Sequence, residues 1–343
     1  SPDRWGRRLM NRREAELTSS DGRIEKTLRE SDYLLGVYDG HRMGALRFKE
    51  NPDGPFLNDN ERFASPPLTS RGEVERISLR LEDDEVIDDP DYMKWLVMLV
   101  NPGSSLGGAR PKANIVDKEK NLWIAKFPGK SDIKDIGGWE IVANELARNA
   151  GINVPDSRIQ KLSGRHHTFL TKRFDRTGNG ERIHYASAMT MLGYTDGTDF
   201  HDGVSYLEIV DFLSRYGANV EHDLEELWKR IVFSILISNT DDHLRNHGFI
   251  LTEKGWILAP AFDLNPDEDG TGLNLNISLD DNSLDLNLAL EVIDYFRLSE
   301  ERALVLIDQI KESVSRWSKV ADKYGLKKTE QELMVKVFDR FCK

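Results

Sequence analysis

Ile237-Ser-Asn-Thr-Asp-Asp-His-Leu-Arg-Asn-His-Gly-Phe249, with the Ala261-Phe-Asp-Leu264 that follows it, is the part of this 343-residue chain whose reading decides the fold. Asp241 and Asn246 stand five residues apart, directly after the apolar run Ile231–Ile237. A hairpin pattern comes next: Phe249-Ile-Leu251, a polar turn Thr252-Glu-Lys-Gly255, then Trp256-Ile-Leu258, with Asp263 past its far end. Such spacing suits a definite chemistry. One carboxylate orients and deprotonates an attacking hydroxyl, while an amide oxygen and a second carboxylate hold Mg²⁺ on phosphate oxygens. Asp242 is also present, but only Asp241 has the five-residue offset to the asparagine, so Asp241 is assigned as the base. Taken alone, the same residues also read as a polar loop of turns and caps.

An Asp, an Asn five residues on, a hairpin and a second Asp form the layout of a protein-kinase catalytic loop and metal-binding segment. The residues upstream bear on that reading. Asn101-Pro-Gly-Ser-Ser-Leu-Gly-Gly-Ala-Arg-Pro-Lys112 is rich in small residues that let backbone N–H groups approach phosphate, although it matches neither GxxxxGK[ST] nor GxGxxG. It feeds a strand expected over Asn121–Phe127 that carries Lys126 in an apolar setting. Trp139–Ala150 has helical periodicity closed by Gly151, and Glu140 and Glu145 lie on it. Strands are expected over Arg158–Leu162 and Thr168–Phe174. A glycine turn, an exposed strand-edge lysine and a solvated helix glutamate are the plain alternatives for these upstream residues.

The outer parts of the chain are read by the same signals. Residues 1–30 read as a helix with Asp3 as cap, Leu34–Tyr38 and Met43–Phe48 as extended segments around Asp39-Gly40, 49–72 as a linker, and Pro90–Val100 as a packed helix. After a loop over 177–203, helices dominate: Val204–Tyr216, Leu224–Ser238, Leu286–Phe296, Glu300–Tyr324 and Thr329–Phe341. The fold class expected is therefore α+β and two-lobed, with a strand-bearing N-terminal lobe over 1–176 and a mostly helical C-terminal lobe over 177–343. The acidic stretch Asp263–Asn287 lacks the register of a Ca²⁺ loop and is expected to be a long loop beside the site.

Composition narrows the function classes. A formal net charge of −12 argues against whole-protein attraction to DNA. One cysteine, Cys342, excludes an internal disulfide and a cysteine-built zinc site. The N-terminus has no signal-peptide core, and no apolar run approaches the roughly 20 residues that span a bilayer, so a cytoplasmic protein is expected. The start without Met suggests a trimmed chain.

Ser105-Leu-Gly-Gly-Ala-Arg-Pro-Lys112, Ile124-Ala-Lys-Phe-Pro128, Trp139-Glu140, Arg173-Phe-Asp-Arg176, Asn239–Asn246 and Pro260-Ala-Phe-Asp263 occur in one order that resembles the HipA family. These are serine/threonine protein kinases that serve as toxins of bacterial toxin–antitoxin modules. The resemblance covers roughly residues 100–340, with Asp3–Arg8 and Met43–Arg47 adding family-like segments. It implies a protein-kinase-like fold, ATP and Mg²⁺ as cofactors, and a role for each matching position. Gly107, Gly108, Ala109, Arg110 and Lys112 would form the phosphate loop. Lys126 would bind phosphate with Glu140 as its partner, and Lys172 and Phe174 would contact adenine through backbone. Asp241 would be the base, Asn246 and Asp263 the metal ligands, and His243 would lie near the nucleotide. Ser105, or the adjacent Ser104, matches the family's autophosphorylated serine, whose modification ejects the glycine loop in relatives.

By the same resemblance, partners would be a protein substrate such as an aminoacyl-tRNA synthetase and a small helix-turn-helix antitoxin, with DNA reached only through the latter and no membrane contact. Two departures from the family pattern stand out: Pro111 stiffens the glycine loop, and an incomplete N-terminal subdomain is expected, since the sequence starts inside what resembles the family's Trp-Gly-Arg segment. Three other functions are open at this point. One is a metal hydrolase built from Asp241, Asp242, His243, His247 and Asp263; another is a catalytically silent scaffold; the third is a small-molecule kinase.

Overall fold

Residues 2, 4–22, 24, 26–59, 71–80, 110–162 and 164–341 are described in the computed structural model. Their contacts group into two units, 1–137 with 157–184 and 138–156 with 185–343. This division differs from a single boundary at 176/177 in two respects: residues 138–156 pack within the helical unit, and residues 177–184 within the first.

In the first unit, period-two alternation builds a four-stranded antiparallel sheet in the order β1-β2-β4-β3: Lys112–Val116, Leu122–Lys126, Thr168–Lys172 and Ser157–Gln160. The register pairs Ala113 with Ala125, Ile115 with Trp123 and Ala125 with Leu170. Directly paired residues share a face, so these five form an apolar face, buried with Trp5, Leu9 and Met10 of α1 (Arg4–Asp21), Tyr33 of α2 (Glu30–Leu35) and Ile77 of α3 (Arg71–Arg80). The other face carries Lys112 paired with Lys126, and Lys126 with Phe169.

The segment 34–48 departs from the extended expectation. Leu34 and Leu35 end α2, Asp39–His41 is a 3₁₀ turn, and 43–48 forms no strand. Arginines take its carbonyls instead: Arg173 donates to His41 O at 2.7 Å, and Arg176 to Arg42 O at 2.9 Å. Strand β1 has no expectation of its own in the sequence; it starts at Lys112, where the glycine-rich segment ends. The expected cap Asp3 and helix Pro90–Val100 lie outside the described residues.

The second unit is organised around α7 (Val220–Ile237), where Leu224, Leu227, Trp228, Ile231, Phe233 and Ile235 are all fully buried. Around it lie α4 (Ile136–Asn149), α5 (Ala188–Leu192), α6 (Tyr206–Tyr216), α8 (Leu286–Glu291), α9 (Glu300–Val314), α10 (Trp317–Lys323) and α11 (Lys328–Phe338). The residues assigned to α4 by periodicity explain why it joins this unit. Trp139 stacks on Phe338 at 6.0 Å, Phe338 stacks on Trp317 at 5.0 Å, and Ser313 Oγ donates to Leu146 O at 2.7 Å. The helix expected over Glu300–Tyr324 breaks at Ser315, whose hydroxyl bonds back to Glu312 O and offers the backbone an alternative to the helix ladder.

The predicted hairpin is β6 (Gly248–Thr252) and β7 (Gly255–Leu258), extended by β5 (Tyr185–Ser187), which the sequence left inside a loop. Gly255 turns the hairpin at φ +135°, a conformation side chains rarely adopt. Phe249 stacks on Phe212 at 4.2 Å and anchors the hairpin to α6.

The ring cluster yields a stability prediction. Phe338→Ala removes a ring wedged between two tryptophans and costs about 3–5 kcal/mol, read as a lower thermal midpoint by calorimetry; an unchanged midpoint would remove that cluster from the account of how α4 and α11 are held.

Candidate active site

α7 ends because Ser238 enters the left-handed region at φ +50°, its N–H returning to Ile235 O and that of Asn239 to Ser234 O at 2.8 Å. The loop 239–247 that follows is not helical, so His243 and His247 do not share a helical face. A second segment is tied to it. Asn239 Oδ1 accepts from the N–H of Asn265 at 3.2 Å, Thr240 Oγ1 donates to Asp267 Oδ2 at 3.0 Å, and the N–H of Asp267 donates to Ser238 O at 3.1 Å. These bonds lie two and four residues past Asp263 and fasten the segment after it to the loop of Asp241 and Asn246.

Asn246 has two distinct ends. Its backbone N–H donates to His243 O and its side-chain Nδ2 to Asp241 O, both at 2.8 Å. Its Oδ1 is buried and accepts no hydrogen bond. A buried acceptor without a donor costs free energy unless something else satisfies it, and an amide oxygen is a hard donor of the type Mg²⁺ takes. Asp263, half-buried, sits at φ +58°, a left-handed conformation that Asp tolerates better than most residues and that recurs at functional sites.

The two adjacent aspartates separate cleanly. Asp241 is exposed. Asp242 is buried, with Tyr206 Oη donating to its Oδ2 at 2.7 Å and His247 Nε2 lying 3.0 Å from its Oδ1. Burial pushes the Asp242 carboxyl up, but His247 and the Tyr206 hydroxyl outweigh it and hold it below the usual carboxylate range. Burial and the Asp242 charge in turn push the Tyr206 hydroxyl well up. Asp242 and His247 are therefore committed to each other, which removes two members of the hydrolase set. Among the described residues no three His, Cys, Asp or Glu side chains are grouped as a metal cage. His243 Nε2 accepts from Arg245 Nη2 at 2.8 Å, and Arg245 pairs with Asp196.

The Tyr206–Asp242–His247 network was missed in the sequence, although Asp242 and His247 have the same five-residue offset as Asp241 and Asn246. Nothing in the spacing tells which aspartate turns inward.

In the first unit, Lys126 is half-buried at the end of β2 with its Nζ 5.5 Å from the Phe169 ring centre, and Lys112 is buried on the same sheet face. Arg110 pairs with Asp132. Lys172 and Phe174 are half-buried at the end of β4. Between them and beyond, Arg173 and Asp175 are buried: the Arg173 guanidinium donates to Asp175 at 2.8 and 2.6 Å and to Asn114 Oδ1 at 3.0 Å, and Gly44 N–H donates to Asp175 at 2.8 Å. Burial raises the Asp175 carboxyl, but Arg173, Arg176 and the Gly44 N–H bring it below its ordinary value. The Arg-Phe-Asp-Arg motif is thus a structural staple for residues 39–44. Glu140 is buried on α4, within the second unit. Ser104, Ser105, Gly107, Gly108 and Ala109 lie outside the described residues.

Comparison with known proteins gives one consistent result. The HipA-like C-terminal domain family matches residues 104–318. A Haemophilus influenzae protein named "Putative kinase" is 25% identical over 179 residues, 47% of this chain and 52% of that protein. A Sinorhizobium fredii protein with a similar name is 27% identical over 216 residues, 58% of this chain and 51% of its own length. The chain spans about half the length of these curated relatives. Among solved structures, HipA of Shewanella oneidensis, determined with HipB and operator DNA, superposes with a TM-score of 0.65 at 21% identity over 96% of this chain and 80% of that one. The fold is that of HipA, α+β and protein-kinase-like. No helix of the described residues is long and apolar enough to cross a membrane.

The two aspartates give a paired prediction. Asp242→Ala strands a buried partner and costs about 3–5 kcal/mol, whereas Asp241→Ala at an exposed position stays within about 0.5 kcal/mol of wild type, both measured by denaturant unfolding. Because the folded Asp242 value is depressed, its stabilisation is complete above the ordinary carboxylate value of about 3.9 and is lost as pH falls through the lower folded value. Equal midpoints for the two variants would refute the assignment.

Proposed function

This chain belongs to the HipA-like C-terminal domain family, and from that premise we propose that it is an ATP- and Mg²⁺-dependent kinase that phosphorylates protein serine or threonine hydroxyls. The observation that carries this reading is the orientation of Asn246, whose amide N–H is spent on Asp241 O while its buried oxygen awaits a partner. Asp263 and Asn246 Oδ1 fit a hard cation, and they would hold it. A Mg²⁺ ion held there would supply positive charge to offset that of the phosphate oxygens.

Asp241 accepts the proton of the attacking hydroxyl as that oxygen bonds to the γ-phosphorus and the bond from the γ-phosphorus to the ADP oxygen breaks. Its exposure leaves it open to an incoming hydroxyl, and the bond from Asn246 to its carbonyl fixes its backbone. Lys126 is assigned to phosphate charge with Glu140 as its partner. Arg110, Lys112 and the glycines 107 and 108 are assigned to the phosphate loop, Lys172 and Phe174 to adenine, and Ser105 or Ser104 to autophosphorylation. The neighbouring structure was solved with HipB and operator DNA; a small helix-turn-helix antitoxin is accordingly the proposed partner here, in a cytoplasmic setting.

Incubation with Mg²⁺ and γ-labelled ATP, after any phosphate already on the loop serines has been removed, is expected to place label on Ser104 or Ser105. Asp241→Ala should lower the rate by about 10²-fold or more while nucleotide binding persists. Asp263→Ala and Asn246→Ala should raise the Mg²⁺ needed for half-maximal rate. Wild-type turnover in Asp241→Ala would overturn the reading.

A further inference from the structure

We infer a second ligand site, within the first unit, that takes a small, multiply charged phosphate-bearing anion. It shares only Lys172 with the residues assigned to ATP and does not depend on the kinase reading. A concave pocket of about 400 Å³ lies beside the end of β4 and the turn before β2, within the range typical of small-molecule sites. Six basic side chains line it, Arg47, Lys120, Lys172, Arg173, Arg176 and Arg182, against two carboxylates, Asp39 and Asp59. The surplus of four positive charges, or three once the adjoining Asp175 is counted, occurs in a chain whose net charge is −12. The protein's overall field does not produce it; the local fold does.

Internal pairing does not use up this charge. Arg173 and Arg176 share one carboxylate, Asp175. Arg47 and Arg182 share another, Asp39, at 2.6 and 3.1 Å. Lys120 and Lys172 make no ion pair among the described residues. The crowding registers on Arg176, which burial, then Arg173 and Arg182, bring down to about 10.

The pocket is also built in advance of a ligand. Lys120 sits at φ +65° in a turn locked by Asp117, which accepts from Asn121 N–H and Trp123 Nε1, both at 2.7 Å. Across it, Arg176 and Arg182 are fixed by the carbonyls of residues 39–44, including Arg42 O at 2.9 Å from Arg176. The ammonium groups of Lys120 and Lys172 match phosphate oxygens as point charges, while the guanidinium groups of Arg176 and Arg182, whose donors serve carbonyls and carboxylates, add positive charge behind them; a group with several charges balances the surplus better than a single phosphate. The limited volume fits a small molecule rather than a nucleic-acid duplex.

Inorganic triphosphate, without Mg²⁺ and at low salt, is the probe, titrated by calorimetry into the full chain carrying Lys126→Ala so that the proposed ATP site is weakened. Saturable binding is expected, with affinity falling about tenfold when Lys120→Glu is added, as one reversed charge near a polyanion requires, and by less with Lys120→Asn, which suits the left-handed turn. Lys120 is exposed, so thermal midpoints should match and phosphoryl transfer by Lys120→Glu alone should equal that of wild type. Absence of saturable binding in the folded Lys126→Ala chain, or identical affinities with and without Lys120→Glu, would overturn the site while leaving the kinase reading untouched.

Discussion

A carboxylate shut away from water holds the loop over residues 239–247 in place. Asp242 is ionised beneath the loop because a tyrosine hydroxyl and a histidine face it, and an ionised buried group without such partners would be prohibitively costly. Its side chain turns inward, and its neighbour Asp241 remains exposed. Tyr206 comes from α6, 36 residues before Asp242, whereas His247 ends the loop itself, so the loop is held by one distant helix and by its own last residue. The first unit repeats the device with Asp175, buried between Arg173 and Arg176 and bonded to Gly44 N–H. There the same physics fastens an N-terminal segment that has no strand of its own.

Preorganisation follows from these anchors. With the loop fixed, Asn246 spends its amide N–H on the chain and leaves its oxygen without a hydrogen bond. With Asn239 and Thr240 bonded to the segment after Asp263, the second carboxylate is carried on the same frame. Asp263 adopts a left-handed backbone there, a conformational cost that the surrounding bonds offset. In the proposed kinase reading, groups held this way would need little reorganisation as charge moves between oxygens in phosphoryl transfer.

The arginine staple also has a consequence beyond packing. Four arginines gathered around two buried or nearly buried carboxylates leave excess positive charge at one edge of the sheet. A chain that is acidic as a whole thereby acquires a local basic pocket.

Periodicity and spacing by themselves determined the long helices, the hairpin after the loop, the strand of Lys126 and the five-residue offset of Asp241 and Asn246, because each depends on neighbours a few residues away. Residue order also carried the family resemblance, which the match over residues 104–318 bears out. Tertiary structure alone decided which of two adjacent aspartates is buried, that Arg-Phe-Asp-Arg is a staple, that residues 34–48 form no strand pair, and that α4 packs with α11. Those outcomes turn on partners 36 residues away for Tyr206 and Asp242, and 131 for Gly44 and Asp175. A local pattern can show that a polar group is present, but only the folded chain determines whether water or a distant side chain satisfies it.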